Sequence, residues 1–474
     1  MDRTPFGVRG WIVLALCLFG AGRAGGSGLG IPDLGTEALG MGAAQVASPN
    51  NLTALWYNPA GLAALDQPTI QLDFRLTWHR VGFQRLDATG ANPNQLDPVQ
   101  NGGGLNLTSA APTGGVSIPI RSLPIPFNVS LGGFPFNGAS GYSYPDPRAL
   151  FANGETAKEV EQQAPQRYSS ILSASKIYIG AFAVSARPLP WLDLGAELQL
   201  ANASFSSTQS VSAGVAPGEY ADLDAVLQIN GRDYFRFSGN FGLTARLPYD
   251  LVFGMSYQLP YRFHASGSLT AYVPATLQAI GATLEGSDAT LSLTLPWYFR
   301  GGLRLRKPAY EIELATTIDG WSTLDNIRID TQGVFVFVAG KRTQLPELIL
   351  PQKMSNAVSV RLGAEWHLSE FSRQLDGLTV RCGALVETTA VPDYRQSISL
   401  PNWGRGSLSV GATKQLGRFA IALAYAHFIQ PDRDIRDSQV KQVVALPGTT
   451  ATIVGNGDYS SQLDLFSLSI STRL

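Results

Sequence analysis

Cysteine is scarce in this chain of 474 residues, which holds only two, Cys17 and Cys382. Cys17 lies in an apolar N-terminal segment with the pattern of an export signal, so the mature chain would keep one thiol and no internal disulfide. No cluster of His, Cys, Asp or Glu has metal-ligand spacing, and no Gly-x-Ser-x-Gly motif occurs. We therefore predict no catalytic residue, no metal and no cofactor, and we disfavour an enzyme.

Charge is also sparse. Charged residues make up 15% of the chain, and the formal net charge is −1. Because no basic excess is available for phosphate backbones, nucleic acid is not an expected partner. Beyond the N-terminal segment no run of roughly 18 apolar residues occurs, which excludes a further transmembrane helix. A mature protein in a membrane would therefore have to span it as a closed β-barrel, the other structure that pairs all its backbone groups.

The first 24 residues have the pattern of a secretory signal peptide. Arg3 and Arg9 precede a short apolar run from Trp11 to Phe19, and Gly22 and Ala24 supply small residues for cleavage. A membrane-anchoring helix is the alternative, but the apolar run is too short to span a bilayer. We expect cleavage near Ala24.

Alternation of apolar and polar residues is what the sequence has in abundance. Apolar residues recur at odd positions from Leu291 to Leu305, with Arg300 and Arg304 between them. Residues 235–247, 358–368 and 419–425 alternate in the same way. These predicted strands, of about 11 to 19 residues, are longer than those of a soluble β-sandwich or propeller, the alternative fold. A clean apolar face opposite a charged one suits lipid outside and a polar lumen.

The connections between the predicted strands alternate between short and long. Six short and seven long connections join fourteen strands, the pattern of an outer-membrane barrel. We predict an all-β fold, a 14-stranded antiparallel transmembrane β-barrel. Within the long connection 137–167, Pro147 and the stretch Glu155–Gln163 predict one or two short helices. The strands are expected to start near residues 68, 112, 125, 168, 191, 232, 251, 288, 309, 356, 378, 404, 418 and 458.

Four charged residues flank a predicted turn at positions 308–309. If this turn is a two-residue hairpin, Arg306 stands opposite Glu311 and Arg304 opposite Glu313. All four lie on the polar faces of their strands. They either form a lumenal ladder of opposite charges or only solvate the lumen.

The predicted third strand, FNVSLGGFPFNG, changes phase at a glycine pair. Its apolar residues stand at odd positions before Gly132 and Gly133, and at even positions, Phe134 and Phe136, after them. A glycine pair with a phase change indicates a bulge or kink. Pro135 also lacks the N–H of a ladder bond. This site is either an ordinary barrel bulge or the border of an opening in the wall.

The segment before the first strand carries a family resemblance. Residues 35–66 read GTEALGMGAAQVASPNNLTALWYNPAGLAALD, and they resemble the FadL/TodX-type outer-membrane transporters of hydrophobic compounds. The resemblance rests on Gly40–Ala47, on Asn50–Leu55 and above all on Asn58–Leu62. It implies a signal peptide over 1–24, a plug over 25–66 inside the lumen, and a barrel over 67–474.

The resemblance also implies a function. It predicts passive uptake of long-chain fatty acids or hydrocarbons across the outer membrane of a Gram-negative bacterium, with capture by the outer loops. The ligand would leave sideways, through a gap beside the kinked third strand at Gly132–Pro135. The expected partners are a hydrophobic ligand, outer-membrane lipid with lipopolysaccharide, and the barrel-assembly machinery, and the expected state is a monomer. A sideways exit keeps the ligand out of water, where each Å² of apolar surface costs roughly 25 cal/mol.

The resemblance also predicts the roles of specific residues. Leu29, Ile31 and Leu34 are expected near the lumenal ligand, unless they only pack the plug. Asn58, Pro59 and Ala60 form the plug motif: Asn58 is a favourable N-cap and Pro59 a favourable first helical residue. Two rival functions share the barrel, a general porin for small polar solutes and a structural outer-membrane barrel. The plug argues against the porin.

Overall fold

β-Strands dominate the molecule. The chain is described by a computed structural model. It covers residues 34–47, 49–102, 112–136, 140–214, 218–338, 340–445 and 450–474. The predicted signal peptide lies outside these residues. No helix in the described ranges is long and apolar enough to cross a bilayer.

Fourteen antiparallel strands close into a barrel, which confirms the predicted fold. Each strand pairs with its sequence neighbours, and β1 pairs with β14 from Thr69↔Arg473 to Arg85↔Gly457. Five strands have two segments. The strands are β1 Thr69–Arg85, β2 Thr113–Ile120, β3 Phe127–Pro135 and Ser140–Ser143, β4 Leu172–Leu189, β5 Leu192–Ser212, β6 Asp224–Leu247, β7 Leu251–Gln258 and Tyr261–Tyr272, β8 Asp288–Leu295 and Tyr298–Arg306, β9 Tyr310–Asp319 and Asn326–Asp330, β10 Leu348–Pro351 and Ala357–His367, β11 Leu378–Glu387, β12 Arg405–Leu416, β13 Phe419–Ile429 and β14 Gly457–Arg473.

The remaining elements are short. The α-helices are α1 Thr36–Gly40, α2 Ala54–Tyr57, α3 Pro147–Ala152, α4 Ala157–Gln163 and α5 Ala275–Gln278. Helices α3 and α4 confirm the prediction for the long connection after β3. The 3₁₀ helices are Pro59–Ala64, Ala221–Leu223, Trp321–Thr323, Leu368–Glu370, Arg373–Leu375 and Asp393–Arg395. Small strands are Val99–Gln100, Thr283–Glu285, Phe335–Val338, Lys341–Gln344 and Arg433–Ile435.

The lower half of the barrel, next to the short turns, has the predicted polarity. On the outside, Phe237 is 68% exposed, Val360 42% and Leu423 61%. On the inside, Arg300 and Arg304 are buried. An apolar surface toward lipid and a polar lumen are the arrangement expected of a membrane barrel.

The upper half of the barrel reverses this polarity, and here one prediction was wrong. We expected Leu291–Leu305 to keep one apolar face. Instead Leu293 and Leu295 point inward, 7% and 0% exposed, whereas Leu303 points outward, 43% exposed. The strand is interrupted at Pro296. Residues at odd positions point inward in the segment before this break, and residues at even positions point inward in the segment after it.

Two prolines at one level explain the reversal. Strand β7 is interrupted at Leu259-Pro260 where β8 is interrupted at Pro296-Trp297, and the pairs Tyr261↔Leu295 and Tyr298↔Gln258 flank this break. Because proline has no N–H, neither strand can continue the ladder there. Both strands resume in register with their faces exchanged. In β6 the same exchange coincides with a register shift opposite β5, beside Phe235, whose φ is 57°.

The bulge predicted in the third strand is also absent. Strand β3 pairs with β4 from Phe127↔Ala186 to Pro135↔Tyr178 with no register shift, so the predicted bulge at Gly132-Gly133 is wrong. The phase change arises because the inner face of β3 changes from polar to apolar residues. Phe134 belongs to this inner face: it points into the lumen and is 1% exposed. The register between β3 and β4 changes only beyond Pro135, before Ser140↔Ser175.

Candidate functional site

The segment 34–66 lies in the lumen as a plug, and wall side chains bind its backbone. Thr36 N donates to Asp73 Oδ1 at 2.8 Å, Gly42 N to Ser409 Oγ at 2.9 Å, and Leu52 N to Gln71 Oε1 at 3.0 Å. A plug with helices of only four to six residues cannot form its own hydrogen-bond ladder. The barrel wall therefore supplies the partners that the plug backbone lacks.

Three pairs of opposing glycines let the plug backbone touch the wall. We call them the glycine seat. A Cβ on Gly242 would stand 2.0 Å from Asn58 Oδ1, and one on Gly383 would stand 2.1 Å from Gly42 N. Any side chain at these positions would displace the plug. The seat consists of the pairs Gly195↔Gly242, Gly254↔Gly302 and Gly363↔Gly383.

The plug motif is fixed by Asn58. Its Oδ1 accepts a hydrogen bond from Ala60 N at 3.1 Å, and Pro59 begins the 3₁₀ helix, as the sequence predicts for an N-cap. Its Nδ2 lies 2.9 Å from Val46 O and 3.0 Å from Leu243 O on β6. Asn58 thus closes the first turn and ties the plug to the barrel at once.

The predicted charge ladder has the expected register. Arg306 stands opposite Glu311 and Arg304 opposite Glu313. Arg304 Nε lies 2.6 Å from Glu311 Oε2, and Arg304 Nη1 lies 3.5 Å from Glu313 Oε2. The ladder extends further than predicted, because Arg304 Nη2 also lies 2.7 Å from Glu365 Oε1 on β10.

Glu313 links this ladder to the plug. Its Oε1 accepts hydrogen bonds from Val46 N at 2.5 Å and from Ala47 N at 2.9 Å. Both backbone donors lie in the chain between α1 and α2. The ladder therefore also binds the plug backbone, through Glu313.

Above the plug the reversed polarity of the wall creates an apolar chamber. Side chains of the upper segments of β3 to β6 and of β8 to β10 line it, and the volume within it that a water-sized sphere can occupy is about 130 Å³. Serines and glutamines are interspersed among the apolar residues. The lining residues are Phe136, Tyr142, Ser173, Ala174, Ser175, Ile177, Phe205, Ser206, Ser207, Gln209, Ile229, Leu291, Leu293, Leu295, Ile327, Ile329, Leu350, Gln352, Ser399, Leu400 and Pro401.

Trp56 of α2 forms the aromatic floor beneath this chamber. Its ring centroid lies 5.6 Å from that of Phe134, 6.1 Å from that of Phe136 and 5.5 Å from that of Tyr298. The guanidinium of Arg300 lies below the same ring, 4.8 Å from its centroid. The floor thus separates an apolar space above from the polar lumen below.

Of the three predicted ligand residues, only Leu34 is described, and it lies outside the chamber lining. Leu29 and Ile31 fall outside the described residues. Leu34 is 6% exposed, its backbone N–H donates to Tyr57 Oη at 3.1 Å, and it is not among the residues lining the chamber. Sequence reasoning missed the chamber residues on β8. The signal that marks them is the pair Pro260 and Pro296.

On the β2 side, the described strand pairing ends beside the floor. Strand β2 pairs with β1 only from Thr69↔Ser117 to Asp73↔Thr113, and with β3 only up to Gly114↔Gly133. Within the described part of the chain, Phe134 and Pro135 have no strand partner on the β2 side. On the outer surface, Tyr178 Oη donates to Pro112 O at 2.6 Å, across Gly133.

Comparison with solved structures supports the fold. A Pseudomonas aeruginosa FadL homologue superposes with a TM-score of 0.72 at 16% identity, covering 94% of this chain and 99% of the other. The toluene transporters TbuX of Ralstonia pickettii and TodX of Pseudomonas putida both superpose with a TM-score of 0.62, at 13% and 14% identity, with the same coverage. At these identities the likeness establishes the fold alone.

Sequence comparison establishes the family. No curated protein matches the chain by sequence. A family model described as "Outer membrane protein transport protein (OMPP1/FadL/TodX)" matches residues 182–473, more than half of the chain. The plug, the closed barrel and the family match agree. The chain belongs to the OMPP1/FadL/TodX family of outer-membrane transport proteins.

Proposed function

We propose that this protein is a passive channel for hydrophobic small molecules in the outer membrane of a Gram-negative bacterium. The observation that carries the proposal is the reversal of polarity inside the barrel, which puts Leu291, Leu293 and Leu295 on the lumenal side above a closed plug. A channel for polar solutes needs a wet path. An apolar chamber instead removes a hydrocarbon surface from water, at roughly 25 cal/mol per Å².

The route we propose has three steps. Outer loops capture the ligand, the chamber holds it above Trp56, and it then leaves sideways toward the lipid. Two observations support a sideways exit beside β3. Phe134 and Phe136 line the inner wall at the level where the pairing of β2 with β3 ends among the described residues. Below the chamber, the plug lies against the wall at the glycine seat. Neither catalysis nor an energy source is required.

Long-chain fatty acids and aromatic hydrocarbons are the two candidate substrate classes. The chain shares its fold with proteins described as toluene transporters, at an identity too low to decide between the classes. Uptake of a labelled fatty acid and of labelled toluene, by cells with and without the protein, distinguishes them. We expect one of the two to accumulate faster in cells that carry the protein.

Two neighbouring residues provide a matched test of the chamber. Leu293→Gln puts an amide into the chamber, whereas Ser292→Gln puts the same amide on the outer face of the same strand. We expect only Leu293→Gln to slow hydrophobic uptake. Equal uptake by both variants, together with rapid swelling of protein-containing liposomes in sugars, would instead identify a general porin.

A further inference from the structure

The outer wall above the apolar band carries a row of polar and basic residues. The row crosses four neighbouring strands by direct pairing, Lys176↔Ser204, Ser204↔Arg232 and Arg232↔Ser266. Below it, Arg262 also points outward and is exposed. This polar surface is the reverse side of the apolar chamber, because inward residues of the same strands line that chamber.

The row lies in a groove. Asn230, Ser206 and Ser268 add further hydrogen-bonding groups. Gly231 and Gly267 have no side chains, so they leave the base of the groove unfilled. Lys176 and Arg232 are separated by two strand spacings, roughly 10 Å between their backbones. Both side chains are long enough to converge on one oxyanion between them. The groove therefore combines two cations with a base of hydroxyl and amide groups.

The two cations of this groove, and Arg262 below it, lack acidic partners. Among the described residues, no carboxylate lies within 4.0 Å of the charged atoms of Lys176, Arg232 or Arg262, and none of these three side chains makes a hydrogen bond. Arg236 nearby differs, since its Nε lies 2.7 Å from Asp233 Oδ2. On this face the nearest acid by pairing is Asp288, opposite Ser268 at the upper edge.

The height of the groove fits a lipid headgroup. Tyr178 is the next outward residue below Lys176 on β4 and is 40% exposed, and Phe237 on β6 is 68% exposed. Exposed aromatic residues of this kind mark the interface of the bilayer. One alternate residue along a strand is roughly 7 Å, so the groove stands at headgroup level. Any lipid that covers Tyr178 and Phe237 must place its headgroup beside these cations.

We propose that this groove binds the phosphate group of an anionic glycolipid of the outer leaflet, with Lys176 and Arg232 as its cationic contacts and Arg262, outside the groove, as a further cation on the membrane side. Guanidinium and ammonium groups pair with phosphate through charge-assisted hydrogen bonds, and serine hydroxyls complete the shell. The proposal depends on the outer-membrane placement given above, but not on what the channel carries. Its failure would leave the transport proposal intact.

The test uses the purified full-length barrel in detergent. Native mass spectrometry measures binding of a diphosphorylated lipid A, of the same glycolipid without phosphates, and of inorganic phosphate alone. We expect the diphosphorylated glycolipid to bind most tightly. Each of Lys176→Gln, Arg232→Gln and Arg262→Gln should weaken its binding roughly fivefold, and the triple variant by roughly a hundredfold. The unphosphorylated glycolipid should bind all proteins alike.

A double variant provides the charge control. Lys158→Gln with Lys341→Gln removes two exposed cations of the outer loops and should leave binding unchanged. Heat-modifiable migration in gels verifies that every variant is folded. Wild-type binding by the triple variant, or equal binding of both glycolipids, would overturn the proposal. Saturation by inorganic phosphate as tight as by the glycolipid would also overturn it, because it would identify a free-anion site.

Discussion

The guanidinium carbon of Arg300, on β8, lies 4.8 Å from the ring centroid of Trp56 in the plug. The two residues belong to different parts of the molecule, and their contact lies where the apolar chamber meets the polar lumen. Arg300 also stacks on Tyr298 at 4.7 Å. Cation–π contacts of this kind, when desolvated, contribute about 2 kcal/mol. Trp56 of the plug therefore forms the floor of the chamber, and Arg300 of the barrel wall stabilises it from below.

Replacing Trp56 with alanine tests the floor. Because Trp56 is 3% exposed and contacts three aromatic rings, Trp56→Ala should lower the free energy of unfolding by about 3–5 kcal/mol. Urea titration of the protein in lipid vesicles measures this. The control is Trp191→Ala, at a position that is 50% exposed in a short turn. Equal losses in both variants would contradict a role for Trp56 as the floor.

Adding a single methyl group to the glycine seat should displace the plug. Gly242→Ala would place Cβ 2.0 Å from Asn58 Oδ1, whereas Gly301→Ala meets no atom within 4 Å. We expect Gly242→Ala to raise ion conductance in planar bilayers and to cost about 1–3 kcal/mol of stability. Gly301→Ala should behave as wild type. If Gly242→Ala has the ion conductance and the stability of wild type, the plug does not need the glycine seat.

Replacing Glu313 should loosen the segment between α1 and α2. Glu313→Gln removes the charge that accepts from Val46 N and Ala47 N, and hydrogen bonds to charged groups contribute about 1.5–3 kcal/mol each. We expect a loss of about 2 kcal/mol, measured by urea titration. Glu347→Gln removes an exposed partner of Arg328 and should cost less than about 1 kcal/mol. The reverse order would refute the link between the ladder and the plug.

Two substitutions of Asn58 distinguish its two roles. Asn58→Ala removes the N-cap, at about 1 kcal/mol, and also the donor to Val46 O and Leu243 O, so its total cost should exceed that of a cap alone. Asn58→Asp keeps the cap acceptor but loses the donor. We expect both variants to show faster proteolysis of the plug than wild type. A fully protease-resistant Asn58→Asp protein would mean that only the cap matters.

Local features of the fold were predictable from the sequence. The register of the β8–β9 hairpin followed from a two-residue turn, because turn length fixes which residues stand opposite each other. The cap at Asn58 followed from residue types at fixed spacing. Both depend on residues within a few positions of one another. The same holds for helices α3 and α4, whose N-caps are Asp146 and Thr156.

The orientation of the faces was not predictable. The alternation from Leu291 to Leu305 is continuous, and period-two spacing does not specify which face points inward. In β7 and β8 the faces exchange at one level, where pairing of the two strands brings Pro260 beside Pro296, 36 residues away in sequence. The phase change in β3 was visible, but its cause was a change of lumenal lining instead of a bulge.

The sequence by itself determined the barrel, its strand number and the capped plug motif, because alternation, turn spacing and capping are local patterns. The tertiary structure decided where the plug lies and where the apolar chamber forms. Gly195 and Gly242 form part of the glycine seat only when β5 and β6 pair. Trp56 forms the floor of the chamber only where it packs on Arg300. Such contacts join residues far apart in sequence, and only closure of the barrel brings them within van der Waals distance.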